Sequence, residues 1–478
     1  MMVTLSKTDA GDKGLSKGGC MRTGSGKNVA APRSRSRRLP RLHLDAAFVA
    51  AVLFLAGCET PSGHDRAYVS QGVKERAGYE LGRVAKPGEL NLPDGVVLQE
   101  GLSEDEAVAV ALWNNAQFQS DLAALGLARA DLIQANMLAN PVFSLMFPVG
   151  PKLLESKLNI PVDTLWQRPR RIAVAKTDAQ DVAENLIQHG LGLIRDVRTA
   201  YADLWLAQEQ TRMAKEDAQV RREIAALATC RLEAGDISEL AASVAHVDSL
   251  QAADASVRLS KEAVLSRQRL LALLGLISEQ PAFEIVPPEI ASKKAVRVDE
   301  LLRTALAARP DLRAAELRIE AAGRRIGWEK SKVYNFIAVI DAKDKGEDFL
   351  TIGPGFQFEV PVLSQNNGQI ARARAEMEQA ARQYEAVRQS ILLQVREAYT
   401  QYVAAHEEHA LWHGNIVPSL ETAAQQAQCS FETGDVSYLL VLEAKQRLSE
   451  ARMRRAELAA QLHRSAAQLN YSVGMKVV

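Results

Sequence analysis

Cys230-Arg-Leu-Glu-Ala-Gly-Asp-Ile-Ser238 and Cys429-Ser-Phe-Glu-Thr-Gly-Asp-Val-Ser437 are two copies of one nine-residue segment. In each, a glycine-aspartate pair separates two long stretches rich in Ala, Leu, Gln, Glu and Arg. Glycine just past one helix and Asp-x-Ser just before the next are cap chemistry. The segment therefore reads as the sharp tip of a helical hairpin. Its second copy makes the hairpin a repeated unit.

The match continues outward from the tips. Val197-Arg-Thr-Ala-Tyr201 pairs with Val395-Arg-Glu-Ala-Tyr399, Ile160-Pro-Val162 with Val360-Pro-Val362, and Gly275 with Gly474. The offset drifts only between 198 and 200 residues. A looser pair sets Ala111-Leu112 and Asn115–Phe118 against Ala305-Leu306 and Arg309-Pro-Asp-Leu312. Each half thus carries the same order of elements. Helical apolar spacing predicts a helix over 103–139 and another over 298–333. Asn140-Pro141 ends the first, because a residue before proline avoids the helical region. Strand pairs follow at 142–147 and 155–162, and at 336–342 and 355–362, with 343–348 as a charged loop. The stretch from Gly355 to Val360 alternates apolar and polar residues, as a barrel strand does. Long helices are expected over 170–233 and 369–432, each roughly 90 Å at 1.5 Å per residue. Pro418 is expected to break or kink the second. Return helices follow over 238–274 and 437–471. The organisation is a first repeat at 103–280, a linker at 281–297 and a second repeat at 298–475.

Composition supports this class. Aromatic residues make up 5% of the 478-residue chain, which favours long helices packed through small side chains over a sheet-rich enzyme. Past the leader, no run of about 18 apolar residues occurs, so a membrane crossing would need strands that close on themselves. Four strands are too few, since small barrels need about eight. A trimer would supply twelve and keep an even antiparallel count. The expected fold is mainly α with a small β part: a duplicated strand-pair and long-hairpin unit, trimerised into a 12-stranded barrel continued by a helical tunnel. There is no basic face for nucleic acid. The chain also lacks a P-loop, Gly-x-Ser-x-Gly, His-Glu-x-x-His and a dinucleotide fingerprint, so catalysis is not indicated.

Residues 1–57 hold 10 Lys+Arg against 3 Asp+Glu. Arg33, Arg35, Arg37, Arg38 and Arg41 precede an apolar run from Ala46 to Gly57, the pattern of a secretory signal peptide. Leu55-Ala-Gly-Cys58 resembles a bacterial lipoprotein processing site, which would make Cys58 the acylated residue. An ordinary signal that happens to contain cysteine is the blander reading. Glu59, not Asp, follows the cysteine, which by resemblance to lipoprotein sorting fits delivery to the outer membrane. Met21 is an alternative start. Residues 58–102 would then be a lipid-anchored extended segment.

Two further stretches carry a family resemblance. Arg309-Pro-Asp-Leu-Arg-Ala-Ala-Glu316 resembles a hallmark segment of the TolC-like outer-membrane factors, the outer membrane efflux proteins. So does Phe431-Glu-Thr-Gly-Asp-Val-Ser-Tyr-Leu-Leu-Val-Leu-Glu-Ala-Lys-Gln-Arg-Leu448. The resemblance spans nearly all of the mature chain, in order, in both repeats. It implies a homotrimer in the outer-membrane lipid, acting as a passive duct without cofactor. It further implies a periplasmic adaptor and an inner-membrane pump of the resistance-nodulation-division type as partners. Gly235, Asp236, Ile237 and Ser238, with Gly434, Asp435, Val436 and Ser437, match the adaptor-docking tips. Leu439 and Glu443 match positions that narrow the periplasmic entrance in lipid-anchored relatives. The acidic residue there is commonly Asp, and here it is Glu443. Its first-repeat counterpart is Val244, so a trimer would carry one carboxylate ring. Such a ring attracts cations and biases what enters. Glu443 could equally be a solvated helix residue. The rival class is a periplasmic coiled-coil lipoprotein, an adaptor or scaffold without a pore. That protein would have one hairpin flanked by small β-domains and no whole-chain duplication.

His406, His409 and His413 share one helix face. They are weak candidates for a divalent metal. Their counterparts Gln208, Thr211 and Lys215 suggest instead a stripe that turns polar in both halves, solvated or facing the lumen. Cys230 and Cys429 occupy equivalent positions and read as buried free thiols, because adjacent hairpins do not bring their Cα atoms within disulfide reach.

Overall fold

A computed structural model describes residues 63–83, 86, 88–98, 101–147, 154–278, 281, 283–288, 297–344 and 350–478, apart from the side chains of residues 438 and 439. Helices α1 (Arg66–Ala77), α2 (Glu104–Asn114), α3 (Ala116–Leu122) and α4 (Ala124–Asn136) precede strands β1 (Val142–Met146) and β2 (Leu154–Pro161). Helices α5 (Asp163–Glu233) and α6 (Glu239–Leu274) form the first hairpin. In the second half α7 (Val298–Ala308) and α8 (Pro310–Ser331) precede β3 (Phe336–Asp344) and β4 (Leu350–Phe358). The second hairpin consists of α9 (Asn367–Leu411), a π-helical turn (Trp412–Ile416), α10 (Val417–Glu432) and α11 (Tyr438–Val473).

Several boundaries differ from expectation, each for a local reason. The helix expected over 103–139 is three helices. Ser103 opens it with a capping box to Glu106, and Asn115 interrupts it by capping a new start, accepting from the Phe118 N–H at 2.9 Å. The helix over 298–333 breaks at Arg309, where Pro310 starts α8. The first long helix begins at Asp163, upstream of Pro169. Lys343 and Asp344 are not loop residues; they close β3. Strand β4 runs from Leu350 to Phe358, includes Pro354, and is the outermost strand of the single chain's sheet. It stops there because its partner β3 starts at Phe336, opposite Phe358.

The π turn accounts for the drift in the repeat. The offset between halves is 198 residues at Val197 and Val395, but 199 at Cys230 and Cys429. One extra residue therefore enters the second long helix between these pairs. The π turn at Trp412–Ile416 is where the helix holds it, with Pro418 directly after.

Two apolar cores sit where the short helices pack on the long ones. The first joins α1, α2, α5 and the end of α6 around Val108, Leu112, Ile187 and Tyr201. The second joins α7, α9 and the end of α11 around Leu301, Val395, Tyr402 and Leu469. Fully buried Tyr201 donates its hydroxyl toward the carbonyls of Leu102 and Val286, at 2.7 and 2.6 Å. That ties α5 to a short parallel bridge between Leu102 and Ile285.

Each return helix ends in a left-handed glycine, Gly275 or Gly474, held by a repeat-related latch. The Asn115 amide donates to the Leu273 carbonyl at 2.9 Å. Arg309 donates to the Ser472 carbonyl at 3.1 Å. The guanidinium is also paired with Asp311 at 2.6 Å and bonded to Gln394 at 2.8 Å. The equivalent backbone carbonyl is thus satisfied by a neutral amide in one half and by a buried guanidinium in the other.

The four strands form one antiparallel sheet in the order β1-β2-β3-β4. Alternation gives it two unlike faces. One presents Phe143, Leu145, Leu158, Ile160, Ile340, Ile352, Phe356 and Phe358, with Ser156 and, at the strand end, Asp344. The other presents Ser144, Glu155, Lys157, Asn159, Asp341, Lys343, Thr351 and Gln357. No helix among the described residues is long and apolar enough to cross a membrane.

Candidate functional site

The two hairpin tips are built alike. The Asp236 N–H donates to the Arg231 carbonyl and the Gly235 N–H to that of Leu232, at 2.9 and 3.0 Å. In the second tip Asp435 bonds to Ser430 and Gly434 to Phe431 at the same distances. This is the Schellman closure, which needs a left-handed residue; φ is 79° at Gly235 and 83° at Gly434. Both glycines face open space. The tips are not identical. Ser238 caps α6 by accepting from the Ala241 N–H at 3.3 Å, while Ser437 makes no side-chain cap. In the second tip the Thr433 hydroxyl donates to the Asp435 carboxylate at 2.7 Å. Ala234 stands at that position in the first tip and offers no donor.

Above the tips the two hairpins face each other across a gap of about 1040 Å³. Glu443 on α11 lines it and is exposed; Val244 on α6 lines it as well. The surrounding charges are partnered. Arg221 pairs with Asp217 and Arg452 with Glu421, both at 2.9 Å. The side chain of Leu439 lies outside the described residues, as do Cys58 and most of the loop expected over 343–348.

The histidine stripe is not uniformly solvated. His409 is buried, His406 half-buried and His413 exposed, and α11 packs along α9. The His409 and His413 rings stack with centroids 5.5 Å apart. Burial holds His409 below the usual histidine pKa, and His413, His406 and Arg455 add to the effect. His463 on α11 is pushed down to about 4, first by burial and then by Arg198 and His409. Among the described residues no three His, Cys, Asp or Glu side chains come together as a metal site. Cys230 and Cys429 are free and exposed, not buried. They sit on the solvent side of the last turn before each tip, where a single chain has nothing to cover them.

Sequence reasoning missed the charged group inside the sheet. Lys343 pairs with Asp341 at 2.6 Å and with Glu155 at 3.8 Å, and Lys157 pairs with Glu155 at 3.5 Å. The available signal was the period of two in Glu155-x-Lys157-x-Asn159 and Asp341-x-Lys343. It was overlooked where Lys343 was assigned to a loop.

The family described as outer membrane efflux protein matches residues 154–276 and 301–475, more than half of the chain. The chain belongs to that family. As an outer membrane efflux protein it is the outer-membrane channel component of an efflux system. It is a trimeric duct that works with a periplasmic adaptor and an inner-membrane pump. A relative is the cobalt-zinc-cadmium resistance protein CzcC of Cupriavidus metallidurans. It is 24% identical over 383 residues, covering 78% of this chain and 90% of the relative. The fold is similar to the outer-membrane channel OprN, with a TM-score of 0.64 at 21% identity, covering 78% of this chain and 90% of that one. It is also similar to the outer membrane protein VceC of Vibrio cholerae, with a TM-score of 0.63 at 17% identity, covering 78% and 96%.

Proposed function

We propose that this outer membrane efflux protein is lipid-anchored through Cys58 and serves a pump of the resistance-nodulation-division type. Its adaptor docks on Gly235–Ser238 and Gly434–Ser437, and Leu439 and Glu443 form the periplasmic gate. The observation that carries the reading is the exposure of Glu443 on the gap between the hairpins, just above two closed, solvent-facing tips. A neighbouring copy also has a surface to meet. Helix α6 leaves Leu240, Val244, Val247, Leu250, Val257 and Val264 exposed. The last three fall at steps of seven, the spacing of a left-handed helix seam.

Single-channel recording of the purified trimer in planar bilayers tests the gate. A carboxylate ring concentrates cations at the entrance, so millimolar divalent cation should reduce wild-type conductance. Glu443→Gln should remove that block. A Glu443→Gln channel blocked as strongly as wild type would sink the gate. Radiolabelled palmitate incorporation, lost in Cys58→Ala, tests the anchor. CzcC is named for cobalt, zinc and cadmium resistance, and an acidic entrance suits the same class of cargo, divalent metal cations. Zn²⁺ efflux assayed in cells lacking and regaining this protein tests that extension.

A further inference from the structure

The polar face of the sheet carries a chain of four charged side chains toward one end. Glu155 and Lys343 are opposite one another across β2 and β3, and so are Lys157 and Asp341. Their side chains join in series: Lys157 to Glu155, Glu155 to Lys343, Lys343 to Asp341. The network lies near the start of β2 and the end of β3, the end of the sheet farthest from the helices that leave from Pro161 and enter at Phe336. Because the helices form the periplasmic tunnel, that is the outer half of the barrel.

The face on which these charges stand decides what they meet. A lysine turned to lipid costs up to roughly 2–4 kcal/mol at the bilayer midplane, less toward the interfaces, and Asp or Glu costs less. The opposite face offers Phe143, Leu158, Ile340, Ile352 and Phe356, which suit lipid. The network therefore points into the lumen, and threefold repetition turns it into a belt with as many cations as anions. A belt of this kind has strong local fields and no net charge. Removing either sign would leave a ring of the other, whose field at 0.1 M salt reaches about 10 Å from the wall, the Debye length.

We propose that Glu155, Lys157, Asp341 and Lys343 set the ion selectivity of the outer half of the pore, and that their balance lets cationic and anionic cargo pass alike. The proposal rests on the trimeric barrel reading. The test is the reversal potential of reconstituted trimers under a KCl gradient. Lys157→Gln with Lys343→Gln should raise the cation-to-anion permeability ratio by roughly threefold or more. Glu155→Gln with Asp341→Asn should lower it by a similar factor. Both shifts should collapse near 1 M salt, where the Debye length is about 3 Å. Lys343→Arg, which keeps the charge, should leave the ratio at the wild-type value. Conducting variants whose ratio stays at the wild-type value overturn the assignment and leave the channel intact. A wild-type chain without conductance overturns both.

Discussion

The first long helix runs 71 residues without interruption, whereas its counterpart is 45 residues of α-helix, a π turn and 16 more. The return helices differ as well. Helix α6 packs on α5 and α2 and leaves its outer face bare, while α11 packs on α5, α7, α9 and α10. Position 264 is an exposed valine, and its counterpart 463 is a buried histidine. Within a single chain the return helix α11 is thus covered on more sides than α6. Both halves bury polar groups, Glu184 and Gln188 in the first and Arg309, His409 and His463 in the second.

The latches should show this difference most strongly. Arg309→Ala leaves the Ser472 carbonyl without its donor and removes the charged pair to half-buried Asp311, so a loss of about 2–4 kcal/mol is expected. Asn115→Ala removes only neutral hydrogen bonds and should cost about 1–3 kcal/mol. Thermal unfolding of the detergent-solubilised trimer measures both; equal losses would break the contrast.

His463 gives the second half a pH dependence. Folded, it stays neutral down to about pH 4. Unfolded, it ionises near 6.5. The unfolded chain therefore binds the extra proton between these values. Stability is full above about pH 6.5 and falls as pH drops toward 4, by up to roughly 3 kcal/mol per chain. His463→Leu should remove this component of the pH profile, and an unchanged profile would contradict it.

The terminal glycines separate the halves more mildly. A Cβ at Gly275 would lie 2.3 Å from the backbone oxygen of Asn114, while one at Gly474 first meets the Arg309 side chain at 2.9 Å. Both positions carry the strain of a left-handed backbone, so each alanine should cost about 1–2 kcal/mol, with Gly275→Ala the worse by about 1 kcal/mol. The smallest effect belongs to the tips. Thr433→Ala releases Asp435 and should cost about 1 kcal/mol or less of local stability. Hydrogen exchange at the second tip should quicken while the first, with Ala234, stays unchanged.

The repeat, the hairpins and their caps were legible because Gly235, Asp236, Gly434 and Asp435 are local chemistry that needs no knowledge of partners. The existence of four strands was legible from alternation, but their ends were not. Whether Lys343 is loop or strand depends on Thr351 lying opposite it, and β4 ends at Phe358 because β3 begins opposite it at Phe336. Burial was least legible. Nothing local distinguishes His409 from His413, yet the first is buried and the second exposed. The two cysteines fooled the reading in the other direction, since a hydrophobic residue type sits on an uncovered turn.

The π turn has a rotational consequence. An α-helix turns about 100° per residue, so one inserted residue left in α geometry would swing everything beyond it by more than a quarter turn. Wound into the wider π turn, the extra residue is taken up and the azimuth below is restored. The second tip therefore faces as the first does, and Glu443 fronts the same gap as Val244. The acidic position of one hairpin and the aliphatic position of the other thus sit at matched places along that gap, like two inks printed in register.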